Sequence, residues 1–361
     1  MKEKQNKILI KRWFDRHLHV RDGEVMSLVL PATVCQQASG ALIMPNLKYP
    51  DQIDTPEKVE AYYRRIKETL PWWSDFEPRL ALYLTDTTPA SEIKKWIDTG
   101  YLTAVKLYMA DKNGEGGTTG SQHGVRNLLG RYPVFEMMEK HGIPLLGHFE
   151  AAEREVDEFD REIVSIERDL VPLIKVFPGL KVVFEHITDG RSADFVAEVD
   201  HPIYATATPQ GMMINRNAMF LGGMNPGNYC KPVPKREEHR MRVRKHVTSG
   251  NPRFGAGTDS APHDEAAKSH CYGCAAGIFT APNAVELYTT IFDEDNALKH
   301  LGPFMSENFI DLYDMEVSTE FMTIKRESWE VPMKLGPVQI FKGGTTLNWK
   351  LQDWPHGKMM F

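Results

Sequence analysis

Cysteines and long apolar runs are both scarce in this sequence. Four cysteines in 361 residues are too few for a disulfide framework, which is typical of proteins from a reducing compartment. The chain shows neither an N-terminal apolar signal segment nor an uninterrupted apolar run of about 18 residues, the length that a membrane-spanning helix needs. We therefore expect a cytoplasmic protein that does not span a membrane.

A surplus of positive charge is also absent. The formal net charge is -6, and the one dense basic stretch, residues 235–245, also contains Glu237 and Glu238. This balance argues against a nucleic-acid-binding surface and predicts a solvent-exposed helix for that stretch. Cys271 and Cys274 have the spacing of half a zinc site, but no second cysteine pair accompanies them, so no structural zinc is expected there.

Short apolar runs alternate with helical segments along the chain. A hydrophobic share of 42% is enough for a large buried core. Eight runs predict buried strands: Trp13 to His19, Ala41 to Asn46, Leu80 to Asp86, Thr103 to Tyr108, Pro144 to His148, Lys181 to His186, Ile203 to Thr208 and Phe254 to Asp259. Six segments between them predict helices: Pro56 to Leu70, Ser91 to Thr99, Pro133 to His141, Asp157 to Val176, Ala193 to Val199 and Pro234 to Val247.

This alternation predicts an α/β fold, and eight strands favour a closed (β/α)8 TIM barrel. An open doubly wound sheet of similar length shows the same alternation, so the count alone leaves both open. Gly142 and Gly250 follow two of the helical segments and predict C-caps there. The positions of unusual polar residues favour the barrel, because catalytic side chains of such barrels converge from the C-terminal ends of the strands.

Histidine and aspartate residues end several of the predicted strands. The first strand ends in His17 and His19, whose alternate positions put two imidazoles on one face, where they can bind one metal ion. His148, His186 and Asp259 end the fifth, sixth and eighth strands. Each of these three alone is equally well explained as an ordinary hydrogen-bonded side chain. Together, four imidazoles and one carboxylate at one end of a barrel predict a metal site.

Lys106 lies inside an apolar predicted strand, where a charged ammonium is unfavourable. Such a lysine reaches the surface, pairs with an acid or is chemically altered. Beside a binuclear metal site, reaction with carbon dioxide would turn its amine into a carbamate, an anionic ligand with two oxygens that can bridge two cations. The residues by themselves leave a carbamate and a buried ion pair equally open.

Seven motifs, in chain order, support a family resemblance. They are His17-Leu18-His19-Val20-Arg21-Asp22-Gly23, Met44-Pro45-Asn46-Leu47, Lys106-Leu107-Tyr108, Phe184-Glu185-His186-Ile187-Thr188, Thr208-Pro209-Gln210, Asn215-Arg216-Asn217 and Gly257-Thr258-Asp259-Ser260-Ala261-Pro262-His263. Together they resemble the dihydroorotases of the amidohydrolase superfamily, in its shorter, bacterial-type branch. The resemblance extends from about residue 13 to about residue 290, with a weaker match to the end.

The resemblance implies an architecture and a set of metal ligands. It implies one amidohydrolase barrel domain over residues 1–361, with a short N-terminal extension and a C-terminal tail packed on the barrel, and a homodimer of such chains. It also implies two zinc ions per subunit. The implied ligands are His17, His19 and Asp259 for one ion, His148 and His186 for the second, and carbamylated Lys106 as the bridge between them.

The resemblance also implies an anion site for a small-molecule substrate that carries a ring carboxylate. Arg21 would bind that carboxylate with its planar guanidinium, and we expect it on the same strand face as the metal pair. Asn46 and His263 would complete the site. The alternative for Arg21 is a surface salt bridge with Asp22.

Further substrate contacts are implied on two other segments. Backbone groups near Lys231 and Ala276 would contact the pyrimidine ring, although the family usually has an apolar residue at the position of Lys231. Thr118 and Thr119 match a threonine pair with which the family closes a loop over its substrate. They lie in the glycine-rich segment 110–124, whose composition implies mobility.

The implied reaction is the reversible interconversion of N-carbamoyl-L-aspartate and L-dihydroorotate in de novo pyrimidine biosynthesis. Two zinc ions that share a water lower its pKa and supply hydroxide near neutral pH, while one of them polarises the ring carbonyl. The hydroxide would attack the ring amide. Asp259 would act as general acid and base, taking a proton and passing it to the departing nitrogen.

Two other functions compete with this one. A dihydropyrimidinase-like hydrolase of another cyclic amide would use the same scaffold, but a ring without a carboxylate needs no anion site such as that of Arg21, Asn46 and His263. A non-catalytic relative that acts as an assembly partner has no reason to keep a complete ligand set. The sequence therefore favours a dihydroorotase.

Overall fold

A ring of eight parallel β-strands forms the centre of the computed structural model, which describes residues 5–111 and 122–353. Strand β1 (Lys7–Lys11) precedes the ring. The ring consists of β2 (Phe14–Leu18), β3 (Gly40–Ile43), β4 (Glu77–Tyr83), β5 (Leu102–Tyr108), β6 (Leu145–His148), β7 (Val182–Phe184), β8 (Ile203–Ala207) and β9 (Phe254–Ala256). Each of these strands pairs in parallel with the next one along the chain.

The sheet closes on itself between β9 and β2. The N–H of Asp259 donates a hydrogen bond of 2.9 Å to the carbonyl oxygen of His17, and Leu18 forms a parallel bridge with Ser260. An open doubly wound sheet keeps two separate edge strands, so this contact excludes that architecture. The predicted (β/α)8 TIM barrel is confirmed.

The helices of the described chain surround the ring. They are α1 (Gly23–Cys35), α2 (Pro56–Thr69), α3 (Ala90–Thr99), α4 (Tyr132–His141), α5 (Arg161–Ser165), α6 (Val171–Val176), α7 (Gly190–Glu198), α8 (Pro209–Met213), α9 (Glu237–Thr248), α10 (Glu265–Lys268) and α11 (Ala284–Glu294). A π-helical turn at Ile166–Leu170 joins α5 to α6, so these two are parts of one continuous helix. All six helices predicted from the sequence are present, with shifted ends.

The two predicted glycine caps lie at helix ends. Gly142 ends α4 with a left-handed backbone (φ 69°), as predicted. Ser249 is the residue that caps α9, and Gly250 follows it with φ 89°. Glycine suits both positions because it adopts positive φ without a steric penalty.

The sequence pattern missed helix α1 because the helix has no continuous polar face. Its buried residues Met26, Val29, Leu30 and Val34 follow helical spacing, but the apolar Val25 and Leu28 lie on the rest of its surface, so the sequence shows no apolar stripe against a polar one. Pro31 also lies inside α1, and a proline in that position normally argues against a helix. Tertiary burial therefore overrides the local signal.

Six strands end earlier than their apolar patterns predict, and two of these ends lie close to predicted metal ligands. Strand β7 ends at Phe184 and not at His186, and β9 ends at Ala256 and not at Asp259. The backbone is left-handed at His186 (φ 42°) and at Asp259 (φ 44°), a conformation that ends strand pairing and that side chains with a Cβ rarely adopt. Such strain is concentrated at functional sites, and both side chains here stand in turns beyond the strand ends.

The C-terminal part of the described chain packs against the N-terminal strand. It contains β10 (Phe321–Lys325), β11 (Trp329–Glu330), β12 (Lys334–Leu335), β13 (Val338–Gln339), β14 (Thr346–Leu347) and β15 (Lys350–Leu351). Strand β10 pairs antiparallel with both β1 and β15, and Ile324 and Leu351 join the hydrophobic core around the barrel. That residues 1–361 form a single domain stays a prediction. Within the described ranges, no helix combines the length and apolar character needed to cross a membrane.

Glu286 on α11 is a buried carboxylate that contacts this C-terminal segment. Its Oε1 accepts a hydrogen bond of 3.0 Å from the N–H of Leu351, whereas its Oε2 has no partner among the described residues. Desolvation raises the pKa of Glu286 to about 7, against the opposing effects of the Leu351 hydrogen bond and the charge of Lys350. The folded protein therefore favours the protonated form up to neutral pH.

We expect Glu286→Gln to remove a pH dependence of stability. A carboxyl whose pKa is raised on folding contributes its full stability below its unfolded pKa, and that contribution is lost as the pH rises toward the folded value of about 7. The free energy of unfolding of the wild type should therefore fall relative to the variant by about 2 kcal/mol between pH 5 and pH 7.5. Urea unfolding of both proteins at several pH values measures this difference, and parallel curves would contradict it.

Candidate metal centre and substrate pocket

A cavity of about 1220 Å³ opens where the loops that follow the barrel strands meet. This is the end of the barrel at which catalytic side chains lie in enzymes of this architecture. Several polar and charged side chains share its lining. They are His17, His19, Arg21, Asn46, Lys48, His148, His186, Lys231, Asp259 and His263.

Three of the predicted ligands form one buried cluster. His17 Nε2 lies 3.3 Å from His19 Nε2, and Asp259 Oδ1 lies 3.4 Å from His17 Nε2 and 3.1 Å from His19 Nε2. Two ligand atoms of a tetrahedral zinc ion with bonds of about 2.0–2.1 Å are about 3.3 Å apart. The ligand atoms of His17, His19 and Asp259 all lie within 4.8 Å of one another. The three donors therefore have the spacing that a metal ion requires.

His148 and His186 form a second pair of imidazoles. His148 Nδ1 lies 3.0 Å from His186 Nε2, and the His186 ring lies 4.9 Å from that of His17, so the pair adjoins the first cluster. Burial lowers the pKa of both His148 and His186, and it lowers the pKa of His19 to about 3. All three rings are therefore neutral near pH 7, the form in which imidazole binds a metal.

Lys106 on β5 is fully buried beside these groups. Its Nζ has no hydrogen-bond partner among the described residues and lies 5.1 Å from the centre of the Tyr108 ring. Desolvation lowers the pKa of Lys106 to about 8, although the charges of Glu185 and Asp259 act in the opposite direction. Because a buried ammonium without an acceptor is unfavourable, these surroundings fit a carbamate better than the buried ion pair.

Two buried glutamates form hydrogen bonds with the histidines on the side away from the donor cluster. The sequence reasoning missed both. Glu185 Oε2 accepts hydrogen bonds from His17 Nδ1 (2.5 Å) and from the Thr206 hydroxyl (2.6 Å), and Glu150 Oε2 accepts one from His148 Nε2 (2.7 Å). Each contact engages one ring nitrogen and leaves the other directed at the cluster, as in carboxylate–histidine–metal arrangements. In the sequence, Glu185 directly precedes His186 and Glu150 follows His148 by two residues. These positions were the sequence signal that could have identified them.

Both glutamates are ionised in spite of their burial. Desolvation raises the pKa of Glu150, but the hydrogen bond with His148 and the charges of His148, Lys235 and Lys231 lower it overall to about 2. For Glu185, desolvation is likewise outweighed by the charges of His17 and Lys106, so its pKa lies below the ordinary value. The two carboxylates thus add negative charge around the donor cluster, which favours a bound cation.

Arg21 lines the cavity, but it does not lie on the strand face where it was expected. It lies beyond the end of β2 in a left-handed conformation (φ 59°), so the strand-face argument for it was wrong. The Tyr62 hydroxyl donates to the Arg21 carbonyl oxygen (2.6 Å) and holds this turn. The alternative of a salt bridge with Asp22 is also wrong, because Asp22 pairs with Arg65.

The Arg21 guanidinium meets His263 at one side of the cavity. Arg21 Nη2 lies 3.0 Å from His263 Nε2, and Arg21 Nε donates to the Pro262 carbonyl oxygen (3.2 Å). His263 Nε2 also lies 3.0 Å from the Ala276 carbonyl oxygen. Burial and the charge of Arg21 lower the pKa of His263 to about 3, so this ring is neutral and can accept from Arg21 or donate to Ala276 according to its tautomer.

The remaining substrate residues named from the sequence line the same cavity. Asn46 is half-buried, and its Oδ1 has no hydrogen-bond partner among the described residues. Lys231 and Ala276 lie on the wall beside His263, and the Lys231 ammonium forms an ion pair with Glu158. Thr118 and Thr119 lie outside the described residues, so their role stays a prediction.

Comparison with known proteins identifies the family. The chain is 45% identical over 350 residues to the dihydroorotase of Methylobacillus flagellatus, an alignment that covers 96% of this chain and 99% of that protein. The chain belongs to the dihydroorotase family. Its structure is similar to that of the Saccharomyces cerevisiae dihydroorotase in complex with 5-fluoroorotic acid, with a TM-score of 0.87, 27% identity and coverage of 96% of this chain and 99% of that one.

Two further findings accompany this one. An L-hydantoinase (dihydropyrimidinase) from Arthrobacter aurescens has a TM-score of 0.80 but 14% identity, with coverage of 96% of this chain and 83% of that one, which shows a common fold and no more. No protein-family model matches the chain. The dihydropyrimidinase-like alternative thus has support at the level of the fold alone.

Family membership establishes the activity. The chain is a hydrolase acting on a cyclic amide, and its reaction is the interconversion of L-dihydroorotate and N-carbamoyl-L-aspartate in pyrimidine synthesis. Its substrate is a small molecule. The predicted dihydroorotase is confirmed, and the non-catalytic assembly partner is excluded. The family is metal-dependent, and the buried cluster of His17, His19 and Asp259 fits a metal.

We expect Glu185→Gln to weaken metal binding by about tenfold, because a neutral amide supports the His17 ring less well than a carboxylate does. The measurement is zinc retention in competition with a chelator, with circular dichroism to verify folding. Glu286→Gln serves as the matched control, since Glu286 is an equally buried carboxylate that accepts a hydrogen bond from the backbone N–H of Leu351, away from the metal centre. Equal zinc affinity in a folded Glu185→Gln protein would contradict the assigned role.

Proposed function

We propose that this dihydroorotase works with two zinc ions bridged by carbamylated Lys106. The observation that carries the proposal is the position of the unpartnered Lys106 amine next to two groups of donors. His17, His19 and Asp259 would hold one ion, and His148 and His186 the second. A neutral Lys106 amine that adds to carbon dioxide and loses a proton becomes an anionic carbamate with two oxygens, one for each ion.

Two bound zinc ions would lower the pKa of a water molecule and polarise the ring carbonyl. The residues of the chain supply orientation and proton transfer around that chemistry. Glu185 and Glu150 keep His17 and His148 in the required ring orientation through hydrogen bonds of 2.5 Å and 2.7 Å.

Arg21 would bind the ring carboxylate of the substrate. Its guanidinium is directed into the cavity next to His263, and its planar donors match the geometry of a carboxylate. Asn46 would add a further donor to the same anion, and backbone groups of Lys231 and Ala276 would contact the pyrimidine ring. This set of contacts orients the scissile amide toward the metal centre and explains a preference for a carboxylated ring.

Asp259 would move the proton. Its carboxylate lies within 3.1 Å of His19 and faces the cavity, and desolvation is outweighed by the His19 hydrogen bond and the charges of His17 and His19, so its pKa lies below the ordinary value. It would accept the proton of the attacking water as the new C–O bond forms. It would then give that proton to the ring nitrogen as the C–N bond breaks, and the biosynthetic direction reverses these steps.

The resemblance to the family also leads us to propose a cytoplasmic homodimer. Light scattering of the purified chain measures this assembly directly. A monomer at micromolar concentration would contradict it.

We expect Asp259→Asn to lower kcat by about 10²- to 10⁴-fold, the usual contribution of a positioned general acid and base. Steady-state kinetics in both directions measure the loss, and zinc analysis of the same sample separates a lost proton carrier from a lost ion. Near-normal turnover by a variant that keeps both ions would show that another group moves the proton.

A substrate comparison tests the assigned anion site. The wild type should turn over dihydroorotate but not dihydrouracil, which lacks the carboxylate. Arg21→Met should raise the KM for dihydroorotate at least about tenfold, because a charge-assisted contact is worth about 1.5–3 kcal/mol. Arg65→Met is the matched control, since Arg65 pairs with Asp22 and does not line the cavity. Turnover of dihydrouracil alone by the wild type would overturn the proposed specificity.

A further inference from the structure

A buried lysine outside the metal centre contacts the cavity wall on the side that faces away from the cavity. Lys268 ends the short helix α10 and is 8% exposed. Its Nζ donates hydrogen bonds to the backbone carbonyl oxygens of Tyr229 (2.9 Å), Ala275 (3.0 Å) and Gly277 (2.8 Å). A lysine ammonium has three N–H donors, so these contacts use its full capacity.

The partners of this ammonium are unusual for a buried charge, because all three are neutral backbone groups. Desolvation lowers the pKa of Lys268 to about 8, against the opposing effects of the thiols of Cys230 and Cys274. An apolar side chain in its place would avoid this desolvation but would leave the carbonyls of Ala275 and Gly277 without this donor. The lysine thus connects two loop segments that lack regular secondary structure.

These two segments, 229–231 and 275–277, form one wall of the cavity. Lys231, Ala275, Ala276 and Gly277 all belong to its lining. The segments also touch each other directly, because the Gly277 N–H donates to the Tyr229 carbonyl oxygen (3.0 Å). Lys268 therefore lies on the side of this wall that faces away from the cavity. Its three hydrogen bonds add to the direct hydrogen bond between the two segments.

The direction of the carbonyl groups shows what the lysine controls. The carbonyls of Ala275 and Gly277 bind Lys268, whereas the carbonyl of Ala276 between them lies 3.0 Å from His263 Nε2. Gly277 has φ 150°, and a Cβ there would lie 2.5 Å from the Ala261 carbonyl oxygen and 2.8 Å from His263 Cδ2. The Gly277 backbone thus lies close against Ala261 and His263, so a shift of this segment would alter the surroundings of the His263 ring.

We propose that Lys268 is a positioning residue for substrate binding. It holds segments 229–231 and 275–277 together so that the backbone of Lys231 and Ala276 and the His263 ring face the substrate in a fixed arrangement. This inference rests on the proposed function, which assigns those groups to the pyrimidine ring and its carboxylate. Because Lys268 touches neither the metal ligands nor the cavity, its loss affects binding of the ring more than the chemical step.

The test compares Lys268→Met with a matched control, Arg253→Met, in the zinc-loaded enzyme. Arg253 is also a cation on backbone carbonyls, donating to those of Val196 (2.9 Å) and Val199 (2.7 Å), but it does not line the cavity. We expect Lys268→Met to raise the KM for dihydroorotate and the Kd for 5-fluoroorotate at least tenfold, with kcat changed less than threefold. Arg253→Met should change both constants less than twofold, even where its melting temperature falls as far.

Each outcome decides the matter. A folded Lys268→Met enzyme with both constants within threefold of the wild type overturns the inference, as does a fall in kcat with unchanged KM. If Lys268→Met does not fold, Lys268→Gln, which keeps two N–H donors on a shorter chain, replaces it and is judged by the same threefold limit. A wild type that neither turns over dihydroorotate nor binds 5-fluoroorotate overturns the proposed function instead, and the role of Lys268 with it.

Discussion

The contact between the last and first strands of the barrel is the constraint on which the site depends. The Asp259 N–H donates to the His17 carbonyl oxygen at 2.9 Å, and Leu18 forms a parallel bridge with Ser260. These contacts place a carboxylate beside two imidazoles that lie some 240 residues earlier in the chain. Only a closed ring makes such a contact, because the two strands are the opposite edges of an open sheet. Closure of the barrel and assembly of the donor cluster are therefore the same event.

Burial of polar groups explains the residues that surround the donor cluster and the cavity wall. Burial keeps His19, His148 and His186 neutral, and a buried ring nitrogen that faces away from the donor cluster is stabilised by a partner inside the protein. Glu185 and Glu150 meet that need for His17 and His148. Lys268 follows the same rule at the cavity wall, where three loop carbonyls share one ammonium. None of these three residues lines the cavity, and each contacts a residue that does.

Local patterns predicted the barrel because its strands are buried on both faces and read as short apolar runs. The same patterns extended six strands too far. Two of these reached His186 and Asp259, since an apolar run does not show where the backbone turns left-handed. They missed α1 because apolar residues such as Val25 and Leu28 also lie outside its buried face and hide the helical period. Arg21 was placed in the cavity by a strand-face argument that the structure contradicts, although the side chain does line the cavity.

The sequence by itself determined the alternating strands and helices, and the histidines and aspartate near strand ends, because these depend on hydrophobic periodicity and on the rule that sites lie at the C-terminal ends of barrel strands. Only the tertiary structure decided which groups meet. The pairing of Glu185 with His17, of Arg21 with His263 and of Lys268 with Tyr229 joins residues far apart in the chain. Such contacts are set by how the closed barrel brings its loops together, a property that no local stretch of sequence contains.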